Sequence, residues 1–189
     1  ASVKQEREIE KFNLAIKLEE KIDALRDHIY IGLNSEHLMR RKVATVCYLI
    51  DILKLRVGDE KDKDEADTVG ATTLRPEHIK INENGYVRFN FLGKDSVEWN
   101  KEVQSREDAV RNLKEFISLA QSPVFDGVKS GHVKRFLGEV LPGLTAKVFR
   151  TYHASRVVRE HLEKSGVTRD DAMIKKKEAA TLANLQAAI

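Results

Sequence analysis

The chain has 189 residues and a mass of 21.5 kDa, with 33% charged residues, 41% hydrophobic residues and a mean hydropathy of -0.44. This length suits one domain with its own core, and the composition excludes disordered, fibrous and membrane-spanning classes. The single cysteine, Cys47, excludes an intramolecular disulfide and the usual cysteine zinc sites, so we expect a reducing compartment. Because the chain begins at Ala1 with a charged segment, we also expect a fragment without a targeting peptide.

The first third of the chain shows helical periodicity. Residues 4 to about 29 carry apolar side chains at spacings of three and four on a background of Lys and Glu, which predicts a long amphipathic helix. A second helix is predicted from an N-cap at Asn34 and Ser35 to Gly58. This helix is strongly apolar, so we expect Cys47 to be a buried core residue.

The middle of the chain changes to the two-residue period of strands. Short alternating runs lie at 79–81, 86–91 and 97–99, and Asn84-Gly85 is a two-residue hairpin signal. Gly93, Lys94 and Asp95 separate the second run from the third. The region 71–103 is therefore predicted to form a small antiparallel sheet with Lys94 at a hairpin tip.

The remainder returns to helical patterns. We predict helices at about 106–121, 130–141 and 146–164, and a final helix that begins near Thr168 and continues to the end of the chain. The resulting organisation has an N-terminal helix at 1–33, a helix plus small sheet at 34–103 and a helical part at 104–189.

Charge is distributed unevenly along the chain. The net charge is +3, but residues 129–177 contain twelve Lys or Arg against five Asp or Glu, a local charge of +7. Residues 59–67 contain six acids against two lysines, which is typical of a solvated loop. A segregated basic region favours a polyanionic partner.

Several kinds of chemistry have no signature in this sequence. It contains neither a nucleotide phosphate-binding loop nor a dinucleotide-binding glycine motif, no paired metal-binding histidines and no serine nucleophile elbow. We therefore expect no cofactor and no metal site.

Three basic residues remain at the ends of predicted elements: Arg56, Lys94 and Arg150. Arg150 lies in the opening turns of a predicted helix, where free backbone N–H groups favour an anion. Arginine can bind two phosphate oxygens with its planar guanidinium, and a lysine can donate a proton to a departing oxygen. Arginines at helix ends also serve commonly as cap partners or in ion pairs, and a hairpin lysine is commonly only solvated, so spacing alone leaves both interpretations open.

The order of these segments resembles the catalytic domain of eukaryotic-type topoisomerase IB enzymes. The most specific runs are Gly-Lys-Asp-Ser at 93–96 and Thr-Ala-Lys-Val-Phe-Arg-Thr-Tyr at 145–152, and the other matching stretches are 48–60, 66–70, 74–79, 89–96 and 144–155. The resemblance implies a mostly helical α+β fold, with helices around a small three-stranded antiparallel sheet, shared with tyrosine recombinases.

The resemblance also implies the chemistry. Arg56 and Arg150 match the two phosphate-binding arginines, and Lys94 matches the hairpin lysine that acts as a general acid. Asp95 and Lys147 lie beside them and complete the expected DNA-binding set. The implied activity is relaxation of supercoiled duplex DNA, without ATP, through a 3′-phosphotyrosyl intermediate. Tyrosine recombinases carry their second arginine in a His-x-x-Arg motif, and Lys147 stands in place of that histidine, three residues before Arg150, which favours the topoisomerase branch.

The family's catalytic histidine and nucleophilic tyrosine have no match in this sequence. The only tyrosines are Tyr30, Tyr48, Tyr86 and Tyr152, and none has the expected C-terminal position. We therefore expect a chain that binds DNA but is inactive alone, completed by a tyrosine-bearing segment and upstream clamp domains. The expected location is the nucleus, or the cytoplasm or nucleoid for a prokaryotic source.

Three alternatives remain open at this stage. They are a tyrosine recombinase or integrase domain, a non-catalytic DNA-binding module of the same fold, and a helical protein-interaction scaffold.

Overall fold

The computed structural model describes residues 2–58 and 69–165. The chain divides into two compact units. The larger unit is Lys21–Ala146, and the smaller unit comprises Ala1–Glu20 together with Lys147–Ile189. Within the described residues, no helix combines the length and the apolar character that a membrane span requires.

The first two helices follow the predicted order with different boundaries. α1 is Val3–Gly32 and α2 is Leu38–Leu53. α2 begins after His37, whose backbone N–H donates to Ser35 Oγ at 3.2 Å, so the predicted cap at positions 34 and 35 is wrong. α2 ends at Leu53 and not near Gly58, because Lys54 adopts a left-handed conformation with φ 58°.

The predicted three-stranded antiparallel sheet is confirmed. β1 is Ile79–Ile81, β2 is Tyr86–Leu92 and β3 is Glu98–Gln104, in the order β1-β2-β3. Gly85 supplies the positive φ of 79° in the turn before β2. Phe89 lies at the centre of the sheet and pairs with residues on both neighbouring strands. Side chains of β2 alternate between buried and exposed, so one face of the sheet packs inward.

The three later helices are also confirmed. α3 is Glu107–Leu119, α4 is Ser130–Gly138 and α5 is Ala146–Ser165. α4 is three residues shorter than predicted. The predicted final helix near Thr168 lies outside the described residues.

The core of the larger unit forms around α2, which packs against α3, α4 and the 3-10 turn Ala71–Thr73. Cys47 is buried, as predicted, and burial raises the pKa of its thiol well above the ordinary value. The buried Asn112 side-chain amide donates to Leu33 O at 2.8 Å and to Thr45 Oγ1 at 3.3 Å. The hydrophobic core therefore contains a satisfied polar contact that joins α3 to α2 and to the residue that follows α1.

Candidate functional site

Arg56 lies three residues after α2, in a segment whose side chains alternate between the core and solvent. Leu55 is 1% exposed and Val57 is half-buried, whereas the Arg56 side chain is exposed. Among the described residues, no hydrogen bond or ion pair engages the Arg56 guanidinium. The backbone is thus fixed by its buried neighbours while the charged group remains available to an anion.

The Arg56 backbone is fixed by a second segment of the larger unit, Val69 to Thr73. Ala71 N donates to Arg56 O at 2.9 Å, and Thr72 donates to Val57 O through its backbone N at 2.8 Å and its Oγ1 at 2.9 Å. Gly58 and Gly70 lie against each other, since a Cβ at Gly70 would lie 2.3 Å from Gly58 Cα. Only glycine permits such a close backbone approach.

Lys94 lies at the tip of the β2–β3 hairpin, as predicted. The turn closes with a hydrogen bond from Gly93 N to Val97 O at 2.8 Å. Asp95, the next residue, is exposed and has a left-handed backbone with φ 60° and ψ 27°. The lysine therefore lies on a turn of unusual backbone geometry.

The Arg56 segment and the hairpin are joined through the same short stretch of chain. Val69 N donates to Leu92 O at 2.9 Å at the base of the hairpin, two residues from the contact between Ala71 and Arg56. The structure therefore connects two of the three predicted catalytic positions within the larger unit.

A further basic side chain lies on the inward face of the sheet. Lys101 pairs with Phe89 across β2 and β3, and its Nζ lies 4.5 Å from the centroid of the Trp99 ring. Burial lowers the pKa of Lys101, and the neighbouring charge of Lys54 lowers it further. Sequence reasoning missed this residue, although the alternation of β3 from Trp99 onwards places Lys101 on the inward face.

In the smaller unit, Arg150 lies one turn into α5. Lys147 is exposed and Arg150 is half-buried; they are three residues apart and therefore lie on neighbouring positions of one helix face. Phe149 is fully buried and Tyr152 is 6% exposed, so both pack on the opposite side of the helix. Both cations lie in the first turns of α5, where the helix dipole favours an anionic ligand.

The histidines of α5 were not assigned a catalytic role from the sequence. The His153 ring stacks on Phe149 with centroids 6.2 Å apart and 17° between planes, and it meets Tyr152 edge-on at 5.2 Å. Ring packing thus accounts for the position of His153. Across the described residues, no group of three or more His, Cys, Asp or Glu side chains could bind a metal ion.

Comparison with known proteins gives a consistent similarity. The family model described as eukaryotic DNA topoisomerase I, catalytic core, matches residues 1–189. DNA topoisomerase 1 of Candida albicans is 40% identical over 166 residues, which is 86% of this chain and 21% of the relative. DNA topoisomerase 1 of Caenorhabditis elegans is 36% identical, and the match covers 100% of this chain and 26% of the relative. DNA topoisomerase 1 of Homo sapiens is also 36% identical, and the match covers 85% of this chain and 22% of the relative. The chain thus spans about a fifth to a quarter of these relatives.

Proposed function

Since this chain belongs to the eukaryotic DNA topoisomerase I catalytic-core family, whose model matches all of it, we propose that the whole protein relaxes supercoiled duplex DNA by transient single-strand cleavage. The observation that supports this assignment best is the junction of the larger unit, where Val69 and Ala71 connect the Arg56 backbone to the base of the Lys94 hairpin. An exposed arginine and a hairpin lysine on one hydrogen-bonded junction suit a site that binds and cleaves one phosphodiester.

Arg56 and Arg150 stabilise the phosphate in this mechanism. A tyrosine hydroxyl loses its proton to solvent as its oxygen attacks phosphorus, and the bond to the 5′ oxygen breaks as the bond to tyrosine forms. Negative charge develops on the non-bridging oxygens, and guanidinium groups can donate paired hydrogen bonds to them without changing protonation. Losing one preorganised donor of this kind costs about 3 to 4 kcal/mol of barrier.

Lys94 acts as the general acid. Its ammonium group donates a proton to the departing 5′ oxygen, so that a hydroxyl leaves in place of an alkoxide. In religation the 5′ hydroxyl attacks the phosphotyrosine, Lys94 takes the proton back and the tyrosine leaves. Because the phosphotyrosyl bond keeps the energy of the original phosphodiester, resealing needs no nucleotide.

We place the nucleophilic tyrosine in a part of the whole protein other than this sequence. Tyr48 is buried, and its hydroxyl accepts a hydrogen bond from Arg106 N at 3.0 Å. Tyr152 is buried in α5, and the Tyr30 ring lies 3.9 Å from the Arg106 guanidinium carbon. Tyr86 is part of β2, on the face opposite the inward side chains. These surroundings explain Tyr30, Tyr48 and Tyr152 as packing residues.

DNA is the partner that this assignment requires. Lys147 and Asp95 lie near the proposed catalytic residues in the sequence, and we propose that both lie at the duplex near the cleaved bond, with Lys147 against a phosphate. Each phosphate contact made by a cation such as Lys147 contributes about one unit to the slope of log affinity against log salt concentration.

The test is single-turnover cleavage of a DNA substrate that cannot religate, by the whole enzyme carrying Arg56→Ala. We expect the cleavage rate to fall by about 10²–10³. The matched control is Arg88→Ala, because Arg88 lies on the outward face of β2 and contacts Glu102 at 2.8 Å. A non-catalytic DNA-binding module would give no cleavage with either protein. Equal rates for Arg56→Ala and Arg88→Ala would contradict the assignment.

A further inference from the structure

The backbone of the turn that carries Lys94 is unusual. Asp95 and Ser96 both have positive φ, at 60° and 58°, although neither is glycine. Each such residue costs on the order of 1 kcal/mol, and the conformation persists only where the surrounding structure determines it. The hydrogen bond from Gly93 N to Val97 O closes the turn, but it fixes only the base. Another contact must define the path of the chain next to Lys94.

Trp99 provides that contact. A Cβ at Gly93 would lie 2.6 Å from Trp99 Nε1 and 2.8 Å from its Cδ1. The edge of the indole therefore occupies the space that a side chain at Gly93 would need. Gly93 is the residue immediately before Lys94, so the indole packs on the backbone from which the proposed acid extends.

The indole itself has a fixed position. It stacks on Phe91 with centroids 5.6 Å apart and only 8° between planes, and Phe91 is 5% exposed. Lys101 Nζ lies 4.5 Å from the centroid of the Trp99 ring. A rigid ring that contacts a buried aromatic and a cation can transmit its position to Gly93.

The base of the hairpin is held by other contacts than the turn. The contacts that place the hairpin relative to Arg56 are therefore separate from the contact that fixes the backbone before Lys94. Leu92 O accepts from Val69 N at 2.9 Å, and the same short segment binds the Arg56 backbone through Ala71. These hydrogen bonds locate the hairpin relative to Arg56. They do not reach past Leu92, so the turn from Gly93 onwards depends on its own hydrogen bond from Gly93 N to Val97 O and on the indole.

We propose that Trp99 is a positioning residue for proton transfer by Lys94, and that its indole sets the path of the Gly93 backbone and hence the place from which Lys94 reaches the 5′ oxygen. This inference rests on the proposed function, because it takes Lys94 to be the acid. Trp99 contacts neither DNA nor the reacting atoms in this role. It acts only on the step in which the P–O5′ bond breaks and the 5′ oxygen receives a proton.

The experiment compares two substrates in single-turnover cleavage by the whole enzyme. One carries the natural 5′ oxygen at the cleaved bond, and the other carries sulfur at that position. A thiol has a pKa of about 8.5, so the sulfur leaves as a thiolate without help from an acid. We expect Trp99→Ala to slow cleavage of the oxygen substrate by about 10- to 100-fold, since a misplacement near 1 Å can cost 10²-fold. The Trp99→Ala enzyme should cleave the sulfur substrate at close to the wild-type rate.

Lys94→Ala and Trp99→Phe are the matched controls. Lys94→Ala should show the same rescue by sulfur, with a larger loss on oxygen. Trp99→Phe keeps an aromatic ring against Phe91 and should restore most of the rate on oxygen. If sulfur does not rescue Lys94→Ala, the acid role of Lys94 fails and the inference fails with it. If sulfur rescues Lys94→Ala while Trp99→Ala stays slow on both substrates, only the positioning role is overturned. A wild-type rate for Trp99→Ala on oxygen overturns it as well.

Gly93→Ala tests the same contact with the indole in place, and it decides the matter if Trp99→Ala does not fold. Its added methyl group collides with Nε1, so this variant should also be slow on oxygen and normal on sulfur. In the double variant, which combines Gly93→Ala with Trp99→Ala, the added methyl group enters the space that the indole no longer fills. The two losses should therefore be less than additive. Slow cleavage of both substrates by Gly93→Ala would overturn the proposal.

Discussion

The contact between Gly58 and Gly70 permits a quantitative prediction for Gly70→Ala. The added Cβ would lie 2.3 Å from Gly58 Cα and 2.6 Å from Gly58 N. Carbon atoms pack favourably at about 3.5–4.0 Å, so the two segments would have to separate by more than 1 Å. Both of these neighbours are backbone atoms, and no side-chain rotation can relieve the collision.

The cost follows from what this separation disrupts. Inserting a methyl group into a close-packed contact costs about 1–3 kcal/mol. The hydrogen bonds from Ala71 N to Arg56 O and from Thr72 N to Val57 O lie next to the contact, and each contributes about 1 kcal/mol net. We therefore expect Gly70→Ala to lower the free energy of unfolding by about 3 kcal/mol.

Urea unfolding followed by tryptophan fluorescence measures this loss directly. Trp99 is the only tryptophan in the chain and lies in the same unit as Gly70, so its emission reports the unfolding of that unit. Gly131→Ala in α4 is the matched control, because a Cβ there meets nothing within 4 Å. Gly131→Ala should stabilise the protein by about 0.5 kcal/mol, because alanine lowers the conformational entropy of the unfolded chain. If both variants shift the urea midpoint in the same direction and by similar amounts, the inferred close approach is wrong.

Three further predictions concern stability. Asn112→Leu should lower the free energy of unfolding by about 2 kcal/mol in urea, because its partners lose two buried hydrogen bonds. Asp51→Asn should cost about 3 kcal/mol by the same measurement, since the carboxylate is 5% exposed and accepts from Arg26 Nε at 2.9 Å. The hydrogen bond from Arg40 lowers the pKa of Glu139, with His28 contributing, so the unfolded state binds the proton more tightly. Its stabilisation is present above the ordinary pKa of 4.5 and is lost as the pH falls through the lowered value, so Glu139→Gln should flatten the acid side of a stability–pH curve.

The order and type of the elements could be predicted because their signals are local. The helical spacing of apolar residues indicated α1, and the Asn84-Gly85 turn set the hairpin that pairs β1 with β2. The end of α2 could not be predicted in this way. Lys54 ends the helix in a left-handed conformation that glycine usually adopts, and the signal at Gly58 was therefore misleading.

The candidate site was accessible from the sequence only in part. The place of Lys94 at a hairpin tip follows from turn chemistry, and the position of Arg56 near the end of a strongly apolar helix follows from hydrophobic periodicity. The contacts that fix these two residues do not follow from the sequence. Gly70 contacts Gly58, and Trp99 contacts Gly93, because pairing of the backbone brings these residues together. The spacing of either pair along the sequence does not indicate the contact.

The central claim is that this chain supplies the phosphate-binding arginines of a DNA-relaxing enzyme. Relaxation of supercoiled plasmid by the whole protein carrying Arg150→Ala tests it most directly, with Arg156→Ala as the control on the same helix. Arg156 is exposed and lies 3.3 Å from Glu160, so its loss should leave relaxation unchanged. We expect Arg150→Ala to relax plasmid about 10²–10³ times more slowly. Relaxation by Arg150→Ala at the wild-type rate would contradict the account.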